Sequence, residues 1–141
     1  MQPYGQPPPP PGSLAIHTSY PALAFMLALT PPKATIDGHG VPLRWGTNIV
    51  PTPPGPHDVQ VHVPYLWDVG KARTTVQTGG PAPTDLYYAA PWMTFSPGAM
   101  DRQPVKSPGF GLMIGLTVGI FGVMLLCVCA SVILPAISAS N

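Results

Sequence analysis

Four histidines, five acidic residues that are all aspartates, and two cysteines are the side chains of this 141-residue chain suited to metal, acid–base or thiol chemistry. His17, His39, His57 and His62 are the potential metal ligands. None stands at the i, i+4 spacing of a helical zinc site, and none is joined by a Cys-x-x-Cys pair. His57 and His62 lie five apart, so on a strand they face opposite sides. Asp37 precedes Gly38 and reads as a turn residue, with no glutamate in the chain to pair with it as an acid–base couple. No serine sits in a G-x-S-x-G setting, and no glycine-rich phosphate loop precedes a helix. The expectation is a protein without a catalytic site, metal or cofactor. A formal net charge of +1, 8% charged residues and no basic patch give nucleic acid binding no support.

The two cysteines belong to a different feature. Cys127 and Cys129 lie inside Phe110 to Leu134, a 25-residue run with no charge and no proline, bracketed by Pro108 and Pro135. As a helix such a run covers roughly 37 Å, against about 30 Å of bilayer hydrocarbon. One transmembrane helix is expected there, followed by a short tail, 135–141. The cysteines, two apart, point to different sides of that helix and cannot easily bridge to each other. Structural membrane thiols are the plain reading, with lipidation or an intermolecular disulfide as alternatives. Gly111, Gly115, Gly119 and Gly122 fall within about 80° of one another on the helix, a stripe at which a second helix can approach closely. The partners implied are the lipid bilayer and either a membrane protein or a second copy packed on that stripe.

The elements before the run must account for 22 prolines. That density favours short strands, edges and loops over helices. Residues 1–12 form a proline-rich leader expected to be disordered, Pro7 to Pro11 favouring polyproline II. Residues 14–29 are ambiguous. Leu14, Ile16, Thr18 and Tyr20 alternate as a half-buried strand would, and Ala22 to Leu29 is continuously apolar. One or two strands are expected. A first membrane span is an alternative, and so is a loop dipping into the membrane surface with Phe25, Met26 and Leu27 as contacts. From Lys33 the strand signals are regular. Ala34-Thr35-Ile36 enters the Asp37-Gly38 turn, and Val41 to Trp45 returns. A short strand spans Asn48 to Thr52. Val59, Val61 and Val63 alternate with Asp58, Gln60 and His62, the clearest period of two in the chain. Strands follow at Ala72 to Thr78 and Thr84 to Ala89. Several short strands separated by Gly/Pro turns predict a mainly β fold, a small β-sandwich over residues 13–91.

Ile36-Asp37-Gly38, Pro54-Gly55-Pro56-His57, Val59-x-Val61-x-Val63, Thr74-x-Val76 and Leu86-Tyr87-Tyr88 together resemble PEGA-type and carboxypeptidase-regulatory-like β-sandwich modules over about 55 residues. Trp45-Gly46 and the ending Tyr88 to Pro91, with the Pro/Gly/Tyr leader, are similar to small membrane-anchored proteins of actinobacteria. The resemblance implies a structural or recognition domain.

Residues 92–109 read as a linker punctuated by Pro97-Gly98 and Pro108-Gly109. Trp92 and Phe95 are placed either at the membrane interface or under the sandwich. Arg102 and Lys106 precede the helix, and the tail carries no Lys or Arg, so the positive-inside rule puts the N-terminal domain in the cytoplasm. The expected function is a non-enzymatic single-pass membrane protein, an interaction or scaffold module or an accessory subunit of a membrane complex. Ligand or metal sensing, and a two-span transporter subunit, are the alternatives.

Overall fold

The computed structural model describes residues 12–139, so the leader up to Pro11 and the last two tail residues lie outside the described residues. The chain divides after Pro108 into a β domain and a helical unit. The β domain consists of β1 (Ser13–Ser19), a helical turn α1 (Phe25–Ala28), β2 (Lys33–Ile36), β3 (His39–Pro42), β4 (Gly46–Pro51), β5 (Gly55–Pro64), β6 (Asp68–Thr78), β7 (Thr84–Ala89) and β8 (Ala99–Asp101). The strands form two sheets, ordered β4-β1-β7-β8 and β3-β2-β5-β6. All pairings are antiparallel except β1 with β7. The expected β domain followed by one long apolar helix is therefore what the chain builds.

Alternation decides which face of each strand meets the other sheet. Val59, Val61 and Val63 of β5 are fully buried, and the residues between them are half-exposed. Leu14 and Ile16 of β1 and Leu86 and Tyr88 of β7 face them from the other sheet, in one core with Ile36, Val69 and Val76. Burying each such side chain contributes roughly 1.5–3 kcal/mol relative to exposure. Asp37 (φ 50°) and Gly38 (φ 84°) both take left-handed backbone in the β2–β3 turn. That is the type I′ geometry that Asp-Gly predicts and that matches the twist of the strands it joins.

Three stretches differ from the sequence expectations. Residues 20–32 hold no second strand. A single helical turn inserts Leu27 into the core, and Trp45 fixes it by donating its indole N–H to Leu27 O (2.9 Å) and Thr30 O (3.2 Å). Tyr20 packs edge-on against the same indole, with ring centroids 4.9 Å apart. Pro21 at the head of the segment, and Pro31 and Pro32 after it, work against a paired strand there. The 92–109 segment is not simply a linker, because it contributes β8 on the edge of the first sheet. The domain accordingly extends to Pro108.

The third difference is the helix end. Helix α2 runs Phe110–Ala139 with Pro135 inside it, instead of stopping before the proline. Proline removes one backbone donor and crowds the preceding turn, but its own φ is helical and its carbonyl still accepts. Residues after it can therefore continue the helix.

Candidate functional site

Strand register divides the loops of the β domain between two ends. At one end lie the β2–β3 turn, the β4–β5 loop and the β6–β7 loop, since Ile36 pairs His39 and Gly55 pairs Thr78. At the other end Lys33 pairs both Pro42 and His62, and Val63 pairs Val69. Thr18 pairs Gly46, and Ala89 pairs both Ser19 and Ala99. This second end therefore gathers the β1–β2, β3–β4, β5–β6 and β7–β8 loops.

The first end closes on His57. The ring continues the inward phase of Val59, Val61 and Val63 and is only 6% exposed. Its Nε2 lies 2.6 Å from Pro53 O, and its Nδ1 lies 2.5 Å from the Asp37 carboxylate. A carbonyl only accepts, so Nε2 donates there. The Asp37 carboxylate also accepts the Asp58 backbone N–H at 2.8 Å. These two hydrogen bonds, from His57 first and then from Asp58, hold the Asp37 carboxyl below the usual carboxylate range. An ionised carboxylate also only accepts, so where Asp37 is ionised and His57 protonated both ring nitrogens donate, an arrangement that favours the imidazolium form. The Asp37 bond, with the Pro53 carbonyl after it, raises the His57 pKa against the opposing effect of burial. Thr78 Oγ1 donates to Pro53 O (2.8 Å), and Thr52 Oγ1 donates to Gly12 O (2.6 Å), completing a polar closure. An open cleft of about 370 Å³ beside it is bordered by Val41, Val50, Asp37 and His57.

Two further histidines also face aspartates. His17 lies on the outer face of the first sheet, 3.0 Å from Thr47 Oγ1 through Nδ1 and 3.0 Å from Asp85 Oδ1 through Nε2. Its ring stacks on Tyr87 at 4.5 Å. The order Thr47–His17–Asp85 is that of a nucleophile, base and orienting carboxylate. Stabilising an oxyanion needs further amide donors, and the Gly46 N–H that precedes Thr47 is given to Thr18 Oγ1. Drawn from the neighbouring strands β4, β1 and β7, the three groups act as a cross-strand clasp. His62 stands 3.7 Å from Asp68, which Lys71 also approaches at 3.1 Å. His57 and His17 thus have both ring nitrogens engaged. Among the described residues no group of three His, Cys, Asp or Glu side chains is placed to hold a metal ion.

The second end is apolar. Of the contacts expected in the β1–β2 loop, Phe25 and Met26 are exposed, but Leu27 is buried in the core and cannot serve as one. Trp92 is half-buried and donates its backbone N–H to Pro108 O (3.0 Å), while Phe95 is exposed and stacks on Trp67 at 5.7 Å. The Trp67 indole in turn donates to Thr94 O (3.3 Å). Sequence reasoning assigned no role to Tyr65-Leu66-Trp67, the tip of the β5–β6 hairpin. The signal was available, since three apolar residues occupy a hairpin turn where polar ones are the norm.

Along α2, Gly111, Gly115, Gly119 and Gly122 each have open space where a Cβ would stand. Gly115 and Gly119 floor a shallow apolar groove walled by Leu116, Ile120, Val123 and Met124. Cys127 and Cys129 are exposed and free. Comparison with protein-family models, curated proteins and solved structures returns no match to this chain.

Proposed function

We propose that this chain is a non-enzymatic single-pass membrane protein whose β domain serves as an interaction or scaffold module of a membrane complex. The observation that carries the reading is the helical stretch Phe110–Pro135, which holds no charged residue and whose most apolar 18-residue window has a mean hydropathy of 2.6. A helix that apolar needs another apolar medium around it, and about 30 Å of hydrocarbon suits its length. The paired aspartates and histidines of the β domain support a binding role over catalysis, because they are spent on one another. Among the described residues this is the one helix long and apolar enough to cross a membrane, which favours a single span over two. The domain lies on the cytoplasmic side, the side of Arg102 and Lys106. The glycine stripe of the helix supplies the contact with a second membrane helix.

Extraction of membranes with alkaline carbonate tests the anchor. The full chain is expected in the pellet, and release to the supernatant overturns the reading. Replacement of Gly115→Leu together with Gly119→Leu tests the stripe. Co-purification of membrane partners is expected to fall, and unchanged recovery of every partner rules the stripe out as an interface.

A further inference from the structure

The loops of the two ends differ in what they show to solvent. At the end that holds the β1–β2, β5–β6 and β7–β8 loops, Leu29 is 80% exposed, Leu66 78% and Phe95 81%. Leu23, Phe25 and Trp67 add to the same surface. A single exposed leucine is ordinary, but bulky apolar tips on several loops of one end form a surface that asks for a cover.

Two observations identify the cover. The first is where the chain leaves the domain. Pro108, the domain's last residue, is tied through its carbonyl to the Trp92 N–H, and Trp92 belongs to the β7–β8 loop of this end. Only Gly109 stands between Pro108 and Phe110, and the two residue steps reach roughly 7 Å when fully extended. The apolar end is therefore the end from which the chain passes, within that reach, to the start of α2.

The second observation is charge. Lys33 opens β2 and Arg44 lies in the β3–β4 loop, so both border the apolar tips, while Lys71 at the same end is held by the carboxylate of Asp68 there, at 3.1 Å. Lys106 precedes Pro108 by two positions. Asp37, Asp58 and Asp85 occupy strand positions towards the opposite end, where Asp58 pairs Thr75 and Asp85 pairs Ala15. Apolar and aromatic tips rimmed by cations are the composition of a surface that rests among anionic lipid headgroups.

We propose that this end of the β domain is a membrane-seating surface. Leu29, Leu66, Trp67 and Phe95 enter the interfacial layer of the bilayer, and Lys33 and Arg44 meet anionic headgroups. The proposal rests on the reading that α2 spans the membrane. The tether then supplies the bilayer at high local concentration, so the surface needs no high affinity of its own.

The test uses the full chain with Cys127→Ala and Cys129→Ala, reconstituted in vesicles of phosphatidylcholine and phosphatidylserine. Single cysteines carrying a nitroxide are placed at Leu66→Cys, Phe95→Cys, Ala82→Cys and Leu125→Cys. Ala82 is an exposed residue of the β6–β7 loop at the opposite end, and Leu125 lies within α2. Accessibility to lipid-soluble oxygen and to an aqueous nickel chelate is then compared. The expected result is that the labels at 66 and 95 are several-fold less accessible to nickel than the label at 82 and are open to oxygen.

Labels at 66 and 95 that match the label at 82, with the label at 125 in lipid, overturn the seating surface and leave the span standing. A label at 125 that reads as water-exposed overturns the span itself. Labels at 66 and 95 shielded from both reagents show a protein cover, a second copy or a partner, and overturn the lipid assignment. For the cations, Lys33→Glu with Arg44→Glu is expected to raise nickel accessibility at 66. No change in that variant removes the headgroup contact from the proposal.

Discussion

The two ends of the β domain spend their loops in opposite ways. At the Asp37 end, polar groups turn on one another: His57 bridges a carboxylate and a carbonyl, Thr78 shares that carbonyl, and Thr52 reaches Gly12. At the Trp67 end the polar bonds point backward and hold the loops from behind, as Trp45 does for Leu27 and Thr30. The apolar tips there point outward. Both ends cap the same core, so closing the sandwich does not require exposed leucines. The contrast separates loops that finish a fold from loops that are finished by something else.

The largest expected effect asks whether the apolar end is merely slack. Beneath it, Tyr88 buries its ring and donates its hydroxyl to Gly70 O at 2.8 Å, and burial raises the pKa of that phenol. Gly70 has φ +63°, and a Cβ there would stand 2.6 Å from Pro91 Cδ and 2.7 Å from the Tyr88 hydroxyl. Gly70→Val therefore meets both a disfavoured backbone and a filled space. It is expected to cost on the order of 3 kcal/mol. Urea denaturation of the detergent-solubilised chain, followed by tryptophan fluorescence, measures it. A variant as stable as the parent would mean that this end has no rigid floor and that its exposed tips reflect looseness.

Next in size is the polar end. His57→Ala removes charge-assisted hydrogen bonds from a buried site, a loss of about 2 kcal/mol. The pH dependence follows from the direction of each shift. His57 is raised, so its contribution is complete below the ordinary histidine value of about 6.5 and is lost as pH climbs through the higher folded value. Asp37 is lowered, so its contribution holds above the ordinary aspartate value of about 3.9 and is lost as pH falls through the lower folded value. The Asp37–His57 pair is thus strongest in mildly acidic solution. Denaturation midpoints across pH should decline above neutrality in the parent and flatten there in His57→Ala. An equal decline in both would remove His57 as the cause.

The same two ends show what could be read before the structure. Strong local chemistry was legible: the Val59–Val61–Val63 alternation, the Asp37-Gly38 turn and the uncharged run from Phe110 each reflect a rule that operates within a few residues. The same phase reaches His57, whose buried site and partners emerge only in the fold. The partners are set by topology. Asp85 reaches His17 only because β7 lies parallel to β1, a pairing across 68 positions that no local rule announces. Strand β8 is three residues long, too short for any period to show. The helical turn at Phe25–Ala28 owes its place to the Trp45 indole, so its eight-residue apolar run was ambiguous when read alone.

That indole gives the third comparison. Trp45→Phe keeps most of the packing and removes the donor shared by Leu27 O and Thr30 O. Both carbonyls lose a partner, and the cost is expected to be about 1 kcal/mol. The loss should be local, because Leu27 is the one side chain of α1 that reaches the core. Hydrogen exchange should therefore quicken across residues 20–32 and stay unchanged in β5 and β6. Uniform quickening across the domain would instead make this loop part of the global fold, as the Asp37 end is.

The smallest expected effect is the most discriminating. Leu66 stands 78% exposed at the hairpin tip, and Leu29 is 80% exposed beside α1. If these side chains contribute nothing to the fold, Leu66→Ser and Leu29→Ser should change folding stability in detergent by no more than about 0.5 kcal/mol, the range of ordinary surface substitutions. Exchanging an exposed leucine for serine removes no core contact and leaves no buried polar group unpaired, so no destabilising mechanism is available. The same pair, joined with Phe95→Ser, should raise the solubility of the β domain's apolar end, seen as weaker binding of a hydrophobic dye to the native chain. A loss of several kcal/mol would show the tips to be packed in solution and would erase the difference between the two ends. Near-neutral stability with reduced dye binding would leave these residues exposed at no benefit to folding, as expected of a surface kept for contact.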